Sequence, residues 1–215
     1  MIISHGRKYI FVHIPKTGGT SLSLALEAKA MKDDILIGDT PKAKKRRKRY
    51  KDVQTSGRLW KHARLTDIYG LATQDQIESY FVFTIVRNPW DRMVSYYHWL
   101  KAQSFKHPVV GIAREYSFAE FLINPVVQQG LQNDATRHYT CDRDGIERCN
   151  MHLKMEELAK DVQHLEQHLG VKLPELPHHN RSERHKNYAN YYDTDSKDMI
   201  SKVFADDIKR FEYKF

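Results

Sequence analysis

The stretch Tyr9–Ala28 restricts the fold of this chain more than any other. Tyr9-Ile10-Phe11-Val12-His13-Ile14 is β-branched, aromatic and almost continuously apolar. Strands of that kind are buried on both faces, as in parallel sheets. Pro15-Lys16-Thr17-Gly18-Gly19 follows as a turn, and Thr20 to Ala28 has helix-forming composition. The arrangement recurs at Tyr80–Val86, a second buried strand, after which Asn88-Pro89-Trp90-Asp91 opens a helix expected to reach about Gln103. Pro suits the first helical position, and Asn caps with an acid three residues on. Strands alternating with helices predict an α/β fold of three layers around a mainly parallel sheet.

The rest of the chain is read more coarsely. Residues 62–80 carry one or two short helices, and residues 117–123 and 126–138 are helical pieces. Residues 156–169 form an amphipathic helix with Leu158, Val162, Leu165 and Leu169 on one face and Gly170 as its stop. Residues 173–192 read as loop, and a last helix carries Met199, Val203, Phe204, Ile208 and Phe211. Residues 32–58 look irregular apart from Ile35-Leu36-Ile37. The 215 residues are expected to form a single domain over 1–215, with a basic, mobile insertion at about 40–58.

Charge is informative only once it is located. The formal net charge is +8, and Lys42, Lys44, Lys45, Arg46, Arg47, Lys48, Arg49 and Lys51 place eight positive charges within residues 42–51. Without them, 27 basic residues face 27 acidic ones. Nucleic-acid-binding domains spread their basic surface over a folded face. A single block is instead a solvated loop or an interaction arm, and a nuclear-import signal has the same composition. No apolar run approaches the roughly 20 residues of a membrane span, and Met1–Lys8 lacks a signal-peptide core. Cys141 and Cys149 are too few for a disulfide scaffold. A cytoplasmic protein with free thiols is expected.

Both strong motifs lie where open parallel sheets bind ligands, beyond the carboxyl ends of strands. In Pro15-Lys16-Thr17-Gly18-Gly19-Thr20-Ser21, the glycines admit a ligand close to the backbone, and the helix start offers N–H groups and the positive dipole end. Lys16 adds a point charge, and Thr17, Thr20 and Ser21 add hydroxyls. The set suits a phosphate-like group in a P-loop-like strand–loop–helix nucleotide site. It is not a Walker A sequence, because Lys16 precedes the glycines. The second strand also ends in Arg87 where a P-loop NTPase carries a metal-holding acid, so a second anion site and no metal are expected there. Ser95 lies about two helical turns on, and Arg87 and Ser95 could grip one phosphate. Arg92 reads as a structural ion-pair partner of Asp91 or another acid, and Trp90 as packing.

One ligand with two anionic ends fits these motifs, and here the sequence resembles the PAPS-dependent sulfotransferases, particularly the carbohydrate-type and bacterial members. Ile14–Ser21 is similar to the family's 5′-phosphosulfate loop. Val86–Tyr96 is similar to its 3′-phosphate motif, with Arg87 and Ser95 on the 3′-phosphate. Lys61-His62-Ala63, Leu176–Ser182 and the closing Asp206–Phe215 are softer matches. The resemblance implies PAPS as sulfuryl donor, without metal, and a hydroxyl-bearing acceptor, less readily an amine. It also implies that Lys16, Thr17, Gly18, Gly19, Thr20 and Ser21 bind the phosphosulfate. Lys16 would stabilise the leaving phosphate oxygen. His62 would be the general base, with His13 a core histidine and Glu156 a helix-start acid. Ser182 and Arg184 either reach the 3′-phosphate or belong to a solvated loop. The basic block is not a family feature. It is expected to recruit an anionic acceptor, such as an acidic polysaccharide, or a glycolipid at a membrane surface contacted peripherally. The rival classes are a P-loop-like kinase, disfavoured by spacing and the missing acid, and a nucleic-acid-binding protein. The second is disfavoured because Tyr50 is the only aromatic in residues 42–51.

Overall fold

A computed structural model describes residues 1–177, 185 and 187–215. The chain divides into two compact units, Met1–Val86 with Arg137–His179, and Arg87–Thr136 with Asn180–Phe215.

The first unit holds the sheet. Strands β1 (Ile2–Ser4), β2 (Tyr9–Val12), β3 (Ile35–Leu36), β4 (Phe81–Val86) and β5 (Cys149–Lys154) lie in the order β3-β1-β2-β4-β5. β2, β4 and β5 are mutually parallel, and β1 is antiparallel to both its neighbours. The parallel core is the expected one. β5 went unread although Cys149, Met151 and Leu153 alternate with polar residues, since three alternating apolar positions are a short signal and only Leu153 is fully buried. β1 is three residues long, too short for periodicity to register.

Alternation along the strands separates two cores. Ile3, Ile10, Val12 and Val82 face one side, where Leu65, Ile68 and Ile77 cover them. Those residues come from a 3₁₀ turn at Leu65–Asp67, from the residue following it, and from helix α3 (Gln74–Ser79). Ile2, Tyr9, Phe11, Phe83, Ile85 and Leu153 face the other side. There helix α1 (Gly19–Ala28) supplies Leu22 and Leu26, and helix α9 (Leu158–Leu169) supplies Val162 and Leu165. Two covered faces make the three layers. α9 starts two residues later than predicted, after a 3₁₀ turn at Met155–Glu157, and stops at Gly170 with φ 62°.

The basic segment departs from its expectation as an irregular stretch without apolar anchors. It forms helix α2 (Pro41–Arg46), capped by Thr40, whose hydroxyl accepts from Ala43 N at 3.1 Å, and then a 3₁₀ turn at Arg47–Arg49. Ala43 and Tyr50 are buried, and Tyr50 donates to Leu36 O at 3.0 Å. Lys42 Nζ donates to Glu27 O, Arg49 to Lys32 O, and Arg46 to Met31 O (2.7 Å) and Asp34 O (3.1 Å). Carbonyls at and just beyond the carboxyl end of α1 thus offset the repulsion among these cations.

The second unit is helical. It contains α4 (Pro89–Lys101), α5 (Pro108–Glu115), α6 (Phe118–Ile123), α7 (Pro125–Leu131), α10 (Thr194–Val203) and α11 (Ala205–Phe211). These pack around Trp90, Met93, Tyr97, Phe121, Ile200 and Phe204. The helix predicted over 126–138 is two. α7 ends at Leu131 and α8 (Thr136–Thr140) begins beyond it, because Arg92 takes the carbonyl and carboxylate of the intervening Asp134. Buried Asp207 holds the start of α8, accepting from Thr136 N and Oγ1 at 3.0 Å each. Burial raises the Asp207 carboxyl above the ordinary carboxylate range. The predicted last helix likewise breaks, at Phe204.

Candidate active site

The loop after β2 is built by its backbone. Lys16 has φ 64° and Gly18 φ 90°, so two of its residues occupy the left-handed region. For a lysine that conformation is strained by about 1–2 kcal/mol. Thr17 is buried, and its hydroxyl donates to Ile14 O at 3.0 Å, closing the turn from within. Thr17 therefore shapes the loop through its side chain, whereas Lys16, Thr20 and Ser21 are half-buried at its surface. Both glycines are required. A Cβ on Gly18 would stand 2.5 Å from Met155 Sδ, and one on Gly19 would overlap the imidazole of His13.

α1 begins at this loop without a side-chain cap and without an acid in its first turn. Ser21 N reaches Gly18 O at 3.2 Å. The first N–H groups of a helix have no intrahelical acceptor. With no acid in its first turn, this helix start presents the positive end of its dipole.

His62 is joined to the loop through His13. His62 Nδ1 lies 2.8 Å from His13 O, and the two rings meet edge to face at 4.7 Å. A carbonyl only accepts, so Nδ1 carries the proton and the neutral ring presents Nε2 as its basic nitrogen. His13 stacks on Phe11 at 5.9 Å and is buried. Burial first, then the neighbouring charges of His62, Lys61 and Lys16, holds its pKa well below the ordinary histidine range. It is a core histidine, as read, but it also touches both Gly19 and His62. Sequence spacing hinted at this only through its position at the end of β2. Trp60, 45% exposed, stands edge-on to His62 at 5.0 Å, with the Arg58 guanidinium 5.8 Å from its ring. Neither residue was singled out by sequence. Lys61 Nζ pairs with Asp39 at 3.0 Å and holds that carboxyl below its usual range.

The second motif belongs to the helical unit. Asn88 caps α4, its Oδ1 accepting from Trp90 N at 3.1 Å, and its amide donates to Lys214 O at 2.9 Å and to the Tyr188 hydroxyl, Oη, at 3.2 Å. Arg87 directs Nε and Nη2 onto Asp91 Oδ2 at 2.7 and 2.6 Å. Asp91 thus fixes the orientation of the Arg87 guanidinium, a pairing the sequence reading had considered for Arg92. Arg92 is structural, bonded to Asp134 and lying 5.7 Å from the Phe204 ring. Ser95 is buried on α4. Trp90 packs edge-on to Phe215 at 5.5 Å with its indole N–H toward Lys197 O. Glu156 lies exposed in the turn before α9. Ser182 and Arg184 lie outside the described residues.

A pocket of about 410 Å³ opens at the amino ends of the parallel strands, lined among others by Arg7, Lys8, Tyr80, Phe81 and His168, and contains none of the predicted site residues. Among the described residues, no group of three or more His, Cys, Asp or Glu is placed to hold a metal ion. No described helix is long and apolar enough to cross a membrane.

A parallel-sheet core, a glycine loop at a strand's carboxyl end and a helix start with no acid in its first turn define an α/β enzyme that holds an anionic ligand. Residues 1–214 match the Sulfotransferase family, and the chain belongs to it. The crystal structure of mouse sulfotransferase SULT7A1 complexed with PAP has the same fold, with a TM-score of 0.53 and 14% sequence identity. The match covers 96% of this chain and 86% of that one. No curated protein matches the sequence.

Proposed function

We propose that the protein transfers a sulfuryl group from PAPS to a hydroxyl of a carbohydrate or glycolipid, with the loop 16–21 and the Arg87–Ser95 motif holding the two anionic ends of the donor. The observation that carries this reading is the loop itself. Its glycines are pressed between His13 and Met155, and its helix start lacks any acid of its own. That cradle suits a phosphate-like group and leaves no room for side chains on Gly18 and Gly19.

Bound PAPS supplies the activated sulfuryl group, and the protein's share resembles that in phosphoryl transfer, mainly positioning and charge stabilisation. Lys16 places its ammonium beside the loop, where it offsets negative charge at the 5′ end. The Gly18–Ser21 amides, with the hydroxyls of Thr20 and Ser21, orient the same oxygens. Arg87, braced by Asp91, and Ser95 hold the 3′-phosphate, with Ser182 and Arg184 as further contacts. His62 receives the proton of the acceptor hydroxyl at Nε2, and the His13 carbonyl accepts from Nδ1–H throughout. Because His13 stays neutral, it adds no charge of its own against the one that His62 gains.

The test is calorimetric titration with PAP in the presence of EDTA. Binding should persist, and Lys16→Ala or Arg87→Ala should each weaken it by about 2–5 kcal/mol. Binding that needs metal, or that survives the double substitution intact, overturns the assignment. A screen of hydroxyl-bearing acceptors, followed by PAP release, identifies the acceptor.

A further inference from the structure

The cations of residues 42–51 are only partly used in holding α2 in place, and the rest face solvent. Lys44, Lys45, Arg47, Lys48 and Arg49 are exposed. They do not stand alone. Arg46 bonds the carbonyl of Met31 and Arg49 that of Lys32, which brings exposed Lys29 and Lys32 beside them. Three exposed acids, Asp33, Asp39 and Asp52, subtract from this patch, and Asp39 is itself paired with Lys61. It therefore joins two segments of the first unit, the end of α1 and the α2 turn.

Exposed apolar side chains interrupt the patch. Met31 is 43% exposed between Lys29 and Lys32, and Val53 is 38% exposed just past the turn, its N–H on Tyr50 O. The aromatic ring of the segment, Tyr50, is buried, so the patch offers no platform on which a base could stack. Clustered Lys and Arg with flanking apolar groups are the chemistry of an interfacial contact. Long cationic chains reach phosphate headgroups while apolar ones enter the boundary.

We propose that the surface formed by α2, the 47–49 turn and the segment after α1 docks on an anionic lipid bilayer. The surface is also tied to the proposed active site. A Cβ on Gly38 would lie 3.9 Å from Ala43 Cβ of α2 and 4.0 Å from Lys61 Cβ, the residue before His62. Only a glycine's width separates the docking helix from the segment that carries His62. This inference does not depend on the proposed reaction, because vesicle binding requires neither PAPS nor turnover.

The experiment is co-sedimentation of the full chain with vesicles of phosphatidylcholine alone or with about 30 mol % phosphatidylserine. Binding is expected only to the anionic vesicles, and is expected to disappear at about 0.5 M salt, where screening is strong. Each cation near such a surface multiplies binding by roughly fivefold. Changing Lys44, Lys45, Arg47 and Lys48 together to Gln should therefore weaken it by roughly 10²–10³-fold. A companion variant with Lys44→Arg, Lys45→Arg and Lys48→Arg should bind as the parent does. Both variants should keep the parent's melting temperature, because the four side chains are exposed. Failure of the parent to bind anionic vesicles overturns the proposal, as does undiminished binding by the Gln variant. So does a parent that ignores vesicles but binds heparin or polyadenylate through these residues, since the surface then serves a soluble polyanion.

Discussion

Gly19→Ala isolates the contact that joins the loop to the histidine pair. Alanine is the better helix former by up to about 1 kcal/mol, so propensity alone favours the substitution. Packing opposes it, because the new Cβ would overlap the His13 imidazole. That ring has little room to retreat, with Phe11 stacked at 5.9 Å and His62 at 4.7 Å. Overpacking a tight core costs about 1–3 kcal/mol. The balance is a loss of about 1–2 kcal/mol, or a melting temperature lower by about 2–8 °C for a chain of this size. PAP affinity should fall as well, because the loop or the ring must move. Thermal denaturation and PAP titration read the two effects. In a His13→Ala background the ring is gone, and Gly19→Ala should become neutral or stabilising, a coupling of at least about 1 kcal/mol. A single variant as stable and as tight-binding as the parent refutes the packing argument, and so does a cost that persists without the imidazole.

His62→Ala should lower turnover by roughly 10²–10⁴ while leaving PAP affinity nearly unchanged; weakened PAP binding with normal turnover would move His62 into the cofactor site. His13 gives the protein an acid-side weakness. Its folded pKa lies below the ordinary value, so its contribution to stability is intact above about pH 6.5 and is lost as pH falls from there toward the folded pKa, by up to about 1.4 kcal/mol per pH unit. Urea denaturation between pH 7 and 5 should show that slope, and His13→Gln should flatten it; equal slopes in both proteins would mean that another group titrates.

The sequence was legible where chemistry and periodicity coincide. β2 and β4 are apolar runs, and the glycines and Lys16 stand where a strand gives way to a helix, so the parallel core and the loop follow from local pattern. β5 could not be read this way. Its apolar positions, Cys149, Met151 and Leu153, alternate over too short a run to stand out, and its pairing with β4 comes from tertiary contacts. The basic segment misled for a different reason. Eight cations overwhelm any composition measure, while its helical turn packs through Ala43 and Tyr50 and bonds carbonyls supplied by residues 27–34. The partnership of Arg87 with Asp91 was visible as a spacing, since residues four apart share a helix face. Choosing between Arg87 and Arg92 required knowing that Asp134 claims the latter.

α1 is finished asymmetrically. Its carboxyl end is clamped by side chains from another helix, with Lys42 on the Glu27 carbonyl and the Thr40 hydroxyl donating to the Glu27 carboxylate at 2.6 Å. At its amino end the N-cap residue is Gly18, which has no side chain to close it. An N-cap elsewhere contributes about 0.5–2 kcal/mol to its helix, and Gly18 makes no such side-chain bond here. Under the proposed function the ligand would take the place of the missing capping residue, and the first turn of α1 would become part of the binding equilibrium. Amide exchange at Gly19–Leu22 should then report occupancy as directly as any assay of turnover.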